Sequence, residues 1–145
     1  MTERIRNCAG GVVFVGDEVF LLKNDRGEWI MPKGVIRDRG DAREVALYRV
    51  ESEAGIRAEI VASVGRTRYD FFSRSRNRDV SNRIEWFAMR AADRRYRIAF
   101  EQGFLDGDFY PFEIAVRLLT HEQDREILVK ARQILRGQDD AAQPQ

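Results

Sequence analysis

The chain contains one cysteine, one histidine, three prolines and three lysines in 145 residues. A lone Cys8 excludes an internal disulfide and a clustered cysteine metal site, and its apolar neighbours mark it as a small buried hydrophobe. A lone His121 lacks the partners of a nucleophilic or metal constellation, so a surface place beside a helix start is expected of it. No run of about 18 apolar residues occurs, so no membrane-spanning helix is expected. The N-terminal MTERIRNCAGG carries charge where a signal peptide needs an apolar stretch. At 43% apolar and 34% charged, the chain has the material for a core. It reads as a cytoplasmic protein with one domain over residues 1–136 and a disordered polar tail over 137–145.

The scarcity of lysine sharpens the meaning of the charge. The net charge is +1, yet 22 of the 25 basic residues are arginine. Ten arginines and only four acids fall between Arg66 and Arg97, so this segment is basic and the remainder is acidic. The near-zero total argues against bulk binding to nucleic acid or membrane. The arginine bias reads first as composition on a solvated face, and second as phosphate recognition, since the planar guanidinium fork matches two oxygens.

Hydrophobic patterning yields strands at Cys8–Val15 and Glu18–Lys23, joined by Gly16-Asp17, then a short run Glu28–Ile30. A Pro- and Gly-marked loop, Met31–Gly40, follows. Asp41 with Glu44 forms a capping-box pattern for a helix to Ala54, stopped by Gly55. Long strands are expected over Ala58–Ser73 and Arg83–Ala92, linked by polar Arg74–Asn82. Pro111 opens a short helix to Leu119, and a second capping-box pattern, Thr120 with Gln123, opens a helix from His121 to about Arg136. Strands and helices in this order indicate an α+β fold.

The first helix carries the functional question. Its apolar arc holds Val45, Ala46, Leu47, Val50 and Ala54, and Arg49 and Glu53 fall inside that arc, one turn apart. Glu44, Tyr48 and Glu51 fall on the opposite face. Buried charge costs free energy unless matched. The pair is therefore a structural ion pair, or it lines an uncovered cleft, or Glu53 binds a cation while Arg49 meets a phosphate. Periodicity leaves all three open.

The segment Gly34–Ile56 resembles the signature box of the Nudix hydrolase family: G, five residues, E, seven residues, then R-E-U-x-E-E-x-G-U, with U bulky aliphatic. Val50, Glu53, Gly55 and Ile56 fall in register, and Trp29-Ile30-Met31-Pro32-Lys33-Gly34 is similar to the W-x-x-P-K-G entry of many members. The resemblance spans roughly residues 7–136. It implies an α/β/α sandwich with a mixed central sheet, hydrolysis of a nucleoside-diphosphate-linked or other diphosphate-containing substrate, and Mg or Mn held by helix carboxylates. The box departs from the pattern at Gly40, Tyr48, Arg49 and Ser52, where the family has Glu, Arg, Glu and Glu. Arg49 offers no lone pair and repels a cation at short range.

Glu53, the surviving box carboxylate, is the expected catalytic and metal residue. Glu101 resembles the Glu that some members keep outside the box, and Lys33, Gly34 and Arg49 are the expected substrate contacts. Two classes of function stand side by side. One is a hydrolase with a diverged metal site. The other is a non-catalytic module that binds a phosphorylated small molecule, nucleotide or RNA through arginines. A protein-interaction scaffold is a third. Oligomerisation is left open.

Overall fold

The run Cys8–Val15 is apolar at every position, without in–out alternation, as befits a strand covered on both faces. In the computed structural model, which describes residues 4–142, this run lies in β1 (Arg4–Val15), the middle of a seven-stranded mixed sheet. β1 pairs antiparallel with β2 (Glu18–Lys23), which carries β3 (Trp29–Ile30) and β7 (Asp106–Pro111). The short β4 (Lys33–Val35) also pairs antiparallel with β1. On its other side β1 runs parallel to β6 (Arg78–Ala91), whose outer neighbour is the edge strand β5 (Ala58–Ser73).

Alternate side chains of β1 enter two separate cores. Val12 and Phe14 join Leu21, Ile84 and Trp86 beneath α2 (Phe112–Leu118) and α3 (Glu122–Ala142). Ala9 and Val13 join Phe20, Phe87 and Met89 beneath α1 (Ala42–Ala54). Helices thus cover both faces of a mixed sheet, which is the α/β/α sandwich that the resemblance implies. α1 has the expected boundaries. The Asp41 side chain accepts the Arg43 N–H, and Gly55 closes the helix in the left-handed region at φ 67°, where a side chain would be strained.

Four expectations require correction. β1 begins at Arg4, because Arg4–Asn7 pairs in register with Val80–Arg83 of β6, a long-range contact that no local pattern reports. β6 starts at Arg78, because Arg78 and Asp79 close a hairpin with Ser73 and Phe72 of β5, and the expected polar link shrinks to a turn at Arg74–Asn77. Thr120 and Gln123 do not cap α3 reciprocally. Thr120 Oγ1 instead accepts the Trp29 N–H, and the Gln123 side chain both accepts from the Arg68 N–H and donates to the Arg68 carbonyl. Finally, α3 continues through Ala142, so residues 137–142 are helix rather than disordered tail. Arg90 secures the extension by donating to Asp139 at 2.7 Å. Residues 143–145 lie outside the described residues.

Candidate functional site

α1 lies across β1 and β4, and the face it turns to them includes one carboxylate. Glu53 is 5% exposed. Its charged neighbour Arg49 stands 3.9 Å away, at the outer limit of an ion pair, and the Lys33 backbone N–H donates to the carboxylate. Burial dominates these contacts and pushes the carboxyl up to about 7, with the Arg49 and Lys33 charges pulling the other way. The Arg49 side chain is laid over Gly34, so that a Cβ at position 34 would collide with Nε, Cδ and Cγ of Arg49. Glycine at 34 is therefore what lets an arginine occupy this seam.

The structure thus brings together Gly34, Arg49 and Glu53 with the backbone of Lys33, while the Lys33 side chain turns to the other face of the sheet beside Tyr69. It does not bring Glu101 to them. Glu101 is exposed in a 3-10 turn, Phe100–Gln102, and lines a hollow with Glu51 and Ser52 at the end of α1. The Ser52 hydroxyl there accepts from the Gln102 amide at 3.1 Å. Glu44, Tyr48 and Glu51 are exposed, as the helical period requires.

These residues do not fit a divalent cation. Magnesium takes oxygen ligands in near-octahedral array. Among the described residues no group of three or more His, Cys, Asp or Glu side chains is placed to hold a metal. Glu53 alone supplies a carboxylate, and the nearest side-chain charge is a guanidinium, which donates and cannot ligate.

Beside this seam opens a cleft of about 770 Å³. Its floor is two ranks of the sheet, Asn7–Arg83–Arg68 and Glu85–Arg66, set by the β1–β6 and β6–β5 registers. Ile36 and Gly40, from the loop between β4 and α1, form one wall, and Cys8 lies at the foot of that wall. Burial raises the Cys8 thiol, while the charges of Arg6, Lys33 and Arg49 oppose this rise. Arg66 faces Glu85 at 3.5 Å. Sequence reasoning singled out the basic segment, but not which of its arginines share a face. That selection depends on strand register, and only the two-residue spacing of Arg66 and Arg68 hinted at it.

A second polar cluster occupies the other face of the sheet. Tyr69 donates its hydroxyl to Asp124 Oδ1 at 2.7 Å, and Lys33 Nζ sits 5.7 Å from the Tyr69 ring centroid. Asp124 is 3% exposed and its carboxyl is raised by burial, against the Tyr69 hydrogen bond and the Lys33 charge. His121 stacks edge-on to Tyr69 and lies 3.3 Å from Glu28, a surface pairing as expected.

The Nudix domain family model matches residues 4–131. The chain belongs to the Nudix family. Among solved structures it resembles the E. coli dihydroneopterin triphosphate pyrophosphohydrolase at TM-score 0.71 and 16% identity, covering 87% of this chain and 95% of that one. It also resembles the C. elegans Ap4A hydrolase in a binary complex, at TM-score 0.68 and 17% identity, covering 91% and 98%. A MutT Nudix hydrolase from Burkholderia pseudomallei matches at TM-score 0.63 and 15% identity, covering 88% and 98%. At these identities the shared property is the Nudix fold. No helix among the described residues is long and apolar enough to cross a membrane.

Proposed function

We propose that this Nudix protein recognises a phosphorylated, nucleotide-type ligand through arginines, and does so without the family's metal-assisted hydrolysis. The observation that carries this reading is Arg49, laid over Gly34 and facing Glu53 where the resemblance calls for a metal-binding carboxylate. A guanidinium in this seam attracts the same phosphate oxygens that a cation would, without ligating a metal. Arg66 and Arg83 in the adjoining cleft add donors of the same kind. The similarity in fold to a dihydroneopterin triphosphate pyrophosphohydrolase and an Ap4A hydrolase makes phosphate-bridged nucleotides the first class to test.

A second reading has one observation in its favour. A buried carboxyl held at about 7 is suited to take a proton from water. Glu53 would then serve as general base while Arg49 neutralises phosphate charge.

Calorimetry with ADP and dinucleoside polyphosphates, in the presence of chelator, tests the first reading. Binding should persist without metal and weaken about tenfold or more in Arg66→Ala/Arg83→Ala, the loss expected for charge-assisted hydrogen bonds. Turnover of the same panel that requires Mg or Mn and is lost in Glu53→Gln would overturn it. Metal-independent turnover lost in Glu53→Gln would establish the second. Restoring the box with Arg49→Glu/Ser52→Glu should create calorimetrically detectable Mg binding that the natural chain lacks.

A further inference from the structure

The two faces of the sheet carry separate sets of arginines. β1 pairs with β6 in unbroken register from Arg4 to Phe14, so its side chains alternate strictly between the faces. Asn7 and its partner Arg83 lie on the α1 face, where they floor the cleft already described. Arg4 and Arg6 lie on the opposite face, the one that carries Cys8, Val12 and Phe14 into the core beneath α2 and α3. There they line a groove of about 370 Å³. Arg37, from the loop after β4, and Arg76, from the β5–β6 turn, complete its charged lining, and Asp38 is its one acid.

These four arginines come from three separate parts of the chain, and the groove does not neutralise them. Among the described residues no carboxylate lies within ion-pairing distance of any of the four. Arg6 is half-buried and donates Nε to Asn82 Oδ1 at 2.8 Å, which fixes its plane and leaves both terminal nitrogens unbonded among the described residues. The turns that supply Arg37 and Arg76 are each set by the next residue, Asp38 at φ 55° and Asn77 at φ 50°. Those are the two non-glycine positions in the left-handed region among the described residues, and such backbone is held where a site needs it. Gathered like charges repel one another, and an anion relieves that cost.

We infer that this groove is a second anion site, separate from the α1-face cleft, for a ligand with two or more linked phosphates: the phosphate chain of a nucleotide or an inorganic oligophosphate. Arg4 and Arg6 stand roughly 7 Å apart along one strand face, and the planar fork of each matches two oxygens of a phosphate. A short chain of phosphates concentrates several charges in a space of this size. An extended acidic peptide turns alternate side chains away and brings fewer. Phe71 separates the two sources. It shares a rank with Val80 and Arg4, so its ring stands on the face of the groove, and it is 42% exposed. Two strand spacings place it roughly 10 Å from Arg4, within reach of a nucleoside whose phosphates lie on the arginines.

Calorimetry with inorganic tripolyphosphate, inorganic phosphate and ATP, in the presence of chelator, tests the site. The measurement is made in Arg66→Ala/Arg83→Ala, so that the α1-face cleft does not contribute. Tripolyphosphate should still bind, about tenfold or more tighter than inorganic phosphate. Adding Arg4→Ala/Arg37→Ala/Arg76→Ala should weaken it about tenfold or more, with circular dichroism unchanged, since all three side chains are exposed. ATP binding tighter than tripolyphosphate identifies a nucleotide, and Phe71→Ala should then remove the difference; equal affinity identifies the inorganic chain. Tripolyphosphate binding that is absent from this background, or unmoved by the outer triple change, overturns the inference and leaves the reading of the α1-face cleft standing. Pentaglutamate bound as tightly as tripolyphosphate overturns it as well, since the groove would then be a general cationic surface. Oligouridylate about ten nucleotides long, bound about tenfold or more tighter than ATP, overturns it in favour of a polymer.

Discussion

Two carboxylates are buried in this molecule among the described residues, one on each face of the sheet, and they are satisfied differently. Asp124, under α3, receives a direct 2.7 Å hydrogen bond from the Tyr69 hydroxyl. Glu53, under α1, has a backbone N–H and a guanidinium at 3.9 Å, too far for a hydrogen bond. Burial raises both carboxyls. Asp124 belongs to a closed network that ties a strand to a helix. Glu53 is left with part of its bonding capacity unused, beside a cleft. The difference separates a carboxylate that holds the fold from one that the fold tolerates.

Glu53→Gln tests that contrast with the largest effect. The unfolded carboxyl ionises near 4.5 and the folded one near 7, so this group favours folding fully below 4.5, and the contribution is lost as pH rises through 7. Relative to the natural chain, Glu53→Gln should therefore gain stability between mildly acidic and mildly alkaline pH, by up to about 3 kcal/mol in urea unfolding. A pH-independent difference would show that Arg49 matches the charge after all, and would break the comparison. Tyr69→Phe should act in the opposite sense. By removing the donor to Asp124 it should destabilise by about 1–2 kcal/mol at neutral pH, and by less in acid, once Asp124 takes up a proton. Thr120→Val sharpens the picture at smaller scale. It deprives the Trp29 N–H of its acceptor beside the same network and should cost about 1 kcal/mol, read as a lowered urea midpoint at unchanged slope.

Where local chemistry decides, the sequence was readable. Asp41 and Gly55 bound α1, Ala58–Ser73 forms β5, and the helical period places Arg49 and Glu53 on the packed face while leaving Glu44 and Tyr48 outside. The Gly34–Ile56 pattern pointed to the family that residues 4–131 match. Long-range pairing was not readable. Arg4–Asn7 is too polar to signal a strand and becomes one only against Val80–Arg83. Thr120 and Gln123 have the composition of a cap, yet their side chains are taken by Trp29 and Arg68, residues distant in sequence. The candidate site divides in the same way. Helical spacing picked out Arg49 and Glu53 and the family resemblance picked out Lys33 and Gly34, whereas the grouping of Arg66 and Arg83 with Asn7 required the register of three strands.

The Gln123 side chain carries one last consequence. By bonding both the N–H and the carbonyl of Arg68, its amide imitates a single peptide unit of a neighbouring strand. β5 is the sheet's edge, and open edges invite a foreign strand to add on. Gln123 plugs that edge at its midpoint. Beyond it, Arg74, Arg76 and Arg78 crowd the hairpin end with like charge, which repels the same hairpin of another copy. A 16-residue edge strand that would otherwise be an aggregation hazard is thereby protected. Gln123→Ala should reveal this protection as faster self-association on heating, with the fold itself little changed.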